Sequence, residues 1–233
     1  MTPAVTRLRR VAVVASLAAV IAAPVAAQQR LTGDALYRMT LLRAAPGQLP
    51  ELVKAVRSNV PTQALVVRHS QGDQWDLLVL VPVESYAKHF GSGVTPLAAP
   101  ASIAWQEDEF VRGPDLSKID NFASAKLIHV EMFNALPGKV PELVKEREME
   151  NAYLAAVGRP ATAIFQRELG ASWDVFTLGP YRDWRHYAER DLIAPDRANA
   201  AAKAAGFASD EAIGPYMRSL INTHHDTLGT VVR

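Results

Sequence analysis

One eleven-residue pattern occurs twice, and it constrains the fold of this chain more than any other feature. Ala44-Ala45-Pro46-Gly47-Gln48-Leu49-Pro50-Glu51-Leu52-Val53-Lys54 returns about ninety residues later as Ala135-Leu136-Pro137-Gly138-Lys139-Val140-Pro141-Glu142-Leu143-Val144-Lys145. In each copy a Pro-Gly turn leads to a second proline placed to start an amphipathic helix. The acidic residue behind that proline suits the positive end of the helix. A second matched landmark is the Trp-Asp pair, Trp75-Asp76 and Trp173-Asp174. A glycine precedes each pair (Gly72, Gly170) and a proline follows it (Pro82, Pro180). Matched landmarks in one order describe a tandem repeat of whole domains, since solenoid units repeat every ~20–50 residues.

Within the first copy, apolar periodicity predicts strands over 36–42, 64–69 and 75–81, helices over 50–56 and 84–90, and a further strand near 109–111. The second copy retraces this with strands over 127–133, 162–167, 173–178 and 227–232, and helices over 140–148 and 181–190. An Ala-rich stretch over 195–207, absent from the first copy, reads as an inserted helix over one mouth of the fold. Each unit is therefore β-α-β-β-α-β, the split arrangement of a ferredoxin-like domain. The expected fold class is α+β, and the expected division is 28–118 for the first repeat and 119–233 for the second.

The residues ahead of the repeats carry Arg7, Arg9 and Arg10, then an apolar run from Val11 to Ala23, then the small residues Val25-Ala26-Ala27. This is the layout of a secretory leader over 1–27, too short for a bilayer span of ~20 apolar residues. Arg9-Arg10 has a poor twin-arginine continuation, so a Sec-like route and a periplasmic or secreted product are expected. No cysteine follows the apolar run to take a lipid, so no stable membrane anchor is expected after cleavage. Without the leader's three arginines the chain holds 22 Lys plus Arg against 24 Asp plus Glu, and no long basic run. Nucleic acid is therefore not an expected partner. Zero cysteines exclude disulfides, thiolate metal sites and a cysteine nucleophile.

With its strand–Pro-Gly–helix opening and Gly-x-x-Trp-Asp strand, the chain resembles the dimeric α/β-barrel superfamily, in particular NIPSNAP-type and antibiotic-biosynthesis-monooxygenase-like domains. The resemblance covers nearly all of the mature chain. It implies that the two halves pair within one polypeptide into a pseudo-dimeric barrel. It also implies oxygenase-like chemistry or haem handling as activities to look for, and leaves the cofactor itself unknown.

Strand alternation puts Tyr37, Met39 and Leu41 on one face with their counterparts Ile128, Val130 and Met132; this apolar face is expected under the helices. The opposite face carries Arg38, His129 and Glu131, expected to point toward the partner sheet. One reading makes these a pocket in which Glu131 sets the charge of His129, an acid/base candidate, and Arg38 holds an anionic group. The plainer reading is a buried Arg–Glu pair with His129 as a satisfied core histidine. Trp75 and Trp173 are candidates to stack on a flat ligand, although their recurrence in both copies is more simply explained by a role in the fold. His224-His225-Asp226 is the densest metal-like cluster. Adjacent strand histidines point to opposite faces, however, so no metal is expected there.

No nucleophile elbow, phosphate loop or dinucleotide fingerprint is present. Two functions follow. One is an exported protein with a pocket for a small hydrophobic or aromatic molecule between two ferredoxin-like halves. The other is a non-catalytic structural or interaction module prone to self-association. The sequence alone does not decide whether the chain is an enzyme. An open pocket lined by Arg38, His129 and Glu131 would favour the first; a filled barrel without a pocket would favour the second.

Overall fold

The computed structural model describes residues 31–232 apart from Ser92, Ala171 and the side chain of Asp120. The leader expected over 1–27 lies outside the described residues. The strands are β1 (Ala35–Ala44), β2 (Leu65–Gln71), β3 (Leu77–Pro82), β4 (Ile103–Gly113), β5 (Leu127–Ala135), β6 (Ala163–Gly170), β7 (Val175–Tyr181) and β8 (Ile221–Val231). The helices are α1 (Leu49–Asn59), α2 (Tyr86–Gly91), α3 (Asp120–Ser124), α4 (Val140–Ala156), α5 (Trp184–Ala188), α6 (Pro195–Ala204) and α7 (Ile213–Arg218). Both proline-started helices form. α4 continues to Ala156, well beyond the expected stop at 148, because its polar residues are taken up inside the structure.

The eight strands close into one antiparallel barrel in the order β1-β3-β2-β8-β5-β7-β6-β4. Reading β4-β1-β3-β2 and then β8-β5-β7-β6 gives the same relative order twice, with β2–β8 and β4–β6 as the two seams. Closure leaves no unpaired sheet edge in the ring. Glycine makes the seams close. At Gly72 (φ 127°) and Gly170 (φ 89°) a Cβ would press on backbone across the seam, 2.3 Å from the Asp226 carbonyl oxygen and 2.8 Å from that of Asp108.

The two faces of the first strands are the reverse of the expectation. Tyr37, Met39 and Leu41 fill the barrel interior together with Ile128, Val130, Met132, Phe165 and Phe176. Leu42 lies outside, under Leu52 and Val56 of α1, and Phe133 lies under Leu143 of α4. The physical reason is that a closed eight-strand barrel has room only for its own side chains. Its lumen takes the uniformly apolar face, and the polar face goes to the sheet–helix interface, which opens to solvent at its margins. Phe165 and Phe176 stack at 4.6 Å in the lumen, and α3 supplies Phe122 to the same cluster.

Trp75 is fully buried in the lumen, while Trp173 is half-buried and packs its edge on His225 at 4.8 Å. Each following aspartate ties down the end of a first strand. Asp76 Oδ2 accepts the Ala44 N–H at 2.8 Å, and Asp174 Oδ2 accepts the Ala135 N–H at 3.0 Å. β4 and β8 are both longer than expected, because Glu107 and Asp108 in one and His224-His225-Asp226 in the other mask the apolar signal. No helix among the described residues is long and apolar enough to cross a membrane.

Candidate functional site

β5 places His129 and Glu131 two residues apart on the outer face of the barrel. The register sets Asp226 of β8 directly opposite Glu131. Asp226 Oδ1 meets His129 Nε2 at 3.0 Å, and its Oδ2 meets His224 Nε2 at 2.9 Å, so one carboxylate bridges two imidazoles. Glu131 Oε2 accepts the hydroxyl of buried Thr177 on β7 at 3.0 Å and lies 3.6 Å from Arg147 Nη1. As alternation requires, His224 and His225 part company. His224 stacks on outward-facing Phe133, and His225 turns toward the lumen to pair with Asp73.

The helix above supplies the rest. Arg147 of α4 is buried and donates to Glu146 through Nε and Nη2 at 2.6 and 2.8 Å, and to Glu150 through Nη1 at 2.5 Å. One guanidinium therefore serves Glu131, Glu146 and Glu150. Such a buried ion cluster persists only if each member keeps its partners. Asn151, also on α4, holds the Thr162 backbone at 2.7 Å and fixes the helix against β6.

Burial opposes charging of His129. The Asp226 hydrogen bond and the nearby Glu131 carboxylate outweigh it and hold the ring above its ordinary pKa. Burial also raises Asp226, but the His129 bond is stronger and the carboxylate ends below its usual range. Burial pushes Glu150 up to about 7 against the pull of Arg147. Glu146 is raised for the same reason. A raised imidazole bonded to a lowered carboxylate, beside a carboxyl group raised toward neutrality, is the kind of pairing that acid/base chemistry uses.

His129, Glu131, Glu150 and Asp226 line a cleft of ≈ 700 Å³ closed by Tyr181, Tyr187 and Leu154 and by Arg190, Asp191 and Ile193 ahead of the α6 insertion. The cleft belongs to the second half, with Gln71 and Gly72 reaching it across the β2–β8 seam, so it does not lie between the halves as expected. His129 and Glu131 are brought together. Arg38 is not: on β1 it pairs with Asp108 of β4 at 2.8 Å and never reaches Glu131. Trp75 and Trp173 stand on the lumen side, away from the cleft. Sequence reading missed Asp226 as the partner of His129, since 97 residues separate them. Arg147 and Glu150 were not singled out either, since they lie within a run of charged residues on α4.

His129, Glu131 and Asp226 present ligand atoms within 4.8 Å of one another and are the residues that could hold a divalent cation. Haem fits poorly. The His129 Nε2 is engaged by Asp226, and Glu131, Glu150, Asp191 and Asp226 line a cleft that a flat macrocycle would need to be apolar.

No known protein family and no curated protein matches the chain. Solved structures do. An anthrone oxidase-like protein aligns over 88% of this chain and 94% of its own, with a TM-score of 0.61 and 14% identity. A protein from Lactobacillus acidophilus assigned as a monooxygenase aligns over 86% and 94%, with a TM-score of 0.50 and 8% identity. What these share with the present chain is the overall fold, here an antiparallel α/β barrel with helices outside.

Proposed function

We propose that the cleft over β5, β7 and β8 binds a small aromatic molecule and that the His129–Asp226 pair takes a proton from it, initiating oxygenase-like chemistry. The observation that carries this reading is the carboxylate-backed imidazole facing a cleft walled by two tyrosine rings. The likeness to an anthrone oxidase-like protein is in keeping with it. Removal of a proton from an activated ring methylene leaves a carbanion delocalised over the aromatic system, with the proton on His129 and its charge balanced by Asp226. Dioxygen is the oxidant: the methylene becomes a carbonyl, and the two hydrogens leave with one oxygen atom as water. The filled lumen does not bear against this reading, because the cleft lies outside it.

The test supplies anthrone under air and follows oxygen uptake and quinone formation. Wild-type turnover that falls ~10²–10⁴-fold in His129→Ala would support the assignment. Absence of both binding and turnover in the wild type would sink it and favour the non-catalytic module.

We also propose that the two halves are tandem ferredoxin-like repeats, 28–118 and 119–233, and that the mature protein starts near Gln28 in the periplasm or outside the cell. The doubled strand order supports the first statement and the residue pattern of 1–27 the second. N-terminal sequencing of the protein from an exported fraction checks the start.

A further inference from the structure

The cleft has two chemically opposite ends joined by a run of rings. At one end, His129 faces Glu131, Glu150 and Asp226. Its ring lies 5.6 Å from that of Tyr187, which lies 5.1 Å from that of Tyr181. At the other end the Arg159 guanidinium sits 5.3 Å from the centre of the Tyr181 ring, and Arg190 flanks the run, 5.0 Å from the centre of the Tyr187 ring.

Arg159 follows the turn that ends α4, and its side chain is only 5% exposed. It donates to the Tyr187 carbonyl at 2.9 Å and lies beside the Tyr181 hydroxyl, whose pKa it pulls down against burial. Its nearest ion-pair partner, Glu189, stands 3.8 Å off, outside hydrogen-bonding range. Arg190 is likewise 3.5 Å from its neighbour Asp191 and donates to the Tyr187 hydroxyl at 3.0 Å. A buried guanidinium without a close carboxylate is costly, and one that lines a cleft is placed to receive an anion from outside. Arg147 is the contrast: equally buried, it is closely bonded to two carboxylates and has nothing left to offer a ligand.

From this polarity we infer that the ligand is an aromatic acid: its ring stacks along Tyr181 and Tyr187, its carboxylate meets Arg159 and Arg190, and its proton-donating group reaches His129. The inference rests on the proposed aromatic-binding cleft and names the class of molecule that fits it. The carboxylate end carries no chemistry. It fixes which end of the ring system faces the imidazole, so it positions the reacting group and sets specificity.

The experiment measures binding by titration calorimetry for 6-hydroxy-2-naphthoate, its methyl ester and 2-naphthol. Wild-type protein should bind the acid ~10–100-fold more tightly than ester or naphthol, the span of hydrogen bonds to a charged group. That preference should shrink with added salt. Arg190→Ala, at an exposed position, should reduce the preference several-fold, and Arg159→Met should abolish it. Equal wild-type affinity for acid and ester would overturn the inference while leaving the aromatic cleft standing. Failure of all three to bind would overturn the cleft itself. Should Arg159→Met not fold, the acid–ester comparison in the wild type and in Arg190→Ala still decides the matter.

Discussion

The two halves place their polar outer residues at equivalent points and use them differently. In the first, Arg38 and Thr40 of β1 both bond Asp108 of β4, at 2.9 and 2.6 Å. In the second, His129 and Glu131 of β5 stand in the same relation to Asp226 of β8. The helix above follows suit: Val56 is buried at the point where α4 buries Arg147. In the first half one cation and one anion neutralise each other, and the side chains α1 buries are the apolar Leu52 and Val56. In the second, Glu131, Glu146, Glu150 and Asp226 confront Arg147 and His129, and burial raises the pKa of Glu146 and Glu150. A framework that needs only an ion pair at this place is built in one half. The other carries an excess of titratable groups, and it is there that the proposed site lies.

The largest effect should come from Arg147→Met, which leaves three carboxylates facing one another. At neutral pH and above it should cost about 3–5 kcal/mol in urea unfolding. Val56→Ala at the matched position should cost only about 1–2 kcal/mol, for two methyl groups. The Arg147→Met deficit should shrink below about pH 7, where Glu150 takes up a proton. Equal costs for the two variants would mean that packing alone separates the halves.

Next comes Glu109, where the halves differ inside the barrel, since Thr227 stands at the corresponding place beside Gly72. Glu109 is buried opposite Met39, its Oε2 has no hydrogen-bond partner, and burial pushes it up to about 8. With the folded value raised above the unfolded one, stability falls as pH climbs from the ordinary carboxylate range through about 8. Glu109→Gln should therefore be nearly neutral at pH 4 and stabilising by about 3 kcal/mol at pH 9. A pH-independent difference would show that the charged form is accommodated.

Asp76→Ala and Asp174→Ala should each cost about 1–2 kcal/mol and leave ligand affinity alone, as like parts of both halves. A large binding defect in one of them would break the equivalence. The smallest effect is electrostatic. Asp226→Asn should lower the His129 pKa, read by NMR titration, while Asp108→Asn leaves it in place. Because folding raises that pKa, the stability Asp226 lends is full in acid and is lost as pH rises through the folded value. The variant's deficit should follow the same course.

The doubled Pro-Gly–Pro pattern and the Trp-Asp pair made much of the element order legible, because turns and helix starts are written in local chemistry. Which face of β1 and β5 pointed inward was not legible. Alternation separates two faces but does not say which side of a sheet becomes the lumen; the width of the closed ring decides that. His129 and Glu131 could be singled out as polar residues on a half-buried strand. Asp226 could not be matched to them, since cross-strand register is a long-range property. Arg147 and Glu150 could not be singled out, because α4 shows almost no apolar stripe to mark its inner face, yet that helix buries Arg147 and Glu146.

The separation of His129 from Asp226 along the chain has a consequence for biogenesis. During synthesis at about 5–20 residues per second, the imidazole emerges several seconds before the carboxylate that is to hold it. β8 also pairs with β2 and β5 at once, so docking this last strand finishes both the ring and the cleft. Chains in which β8 has not docked thus have neither, and acquisition of ligand would report that this strand is in place.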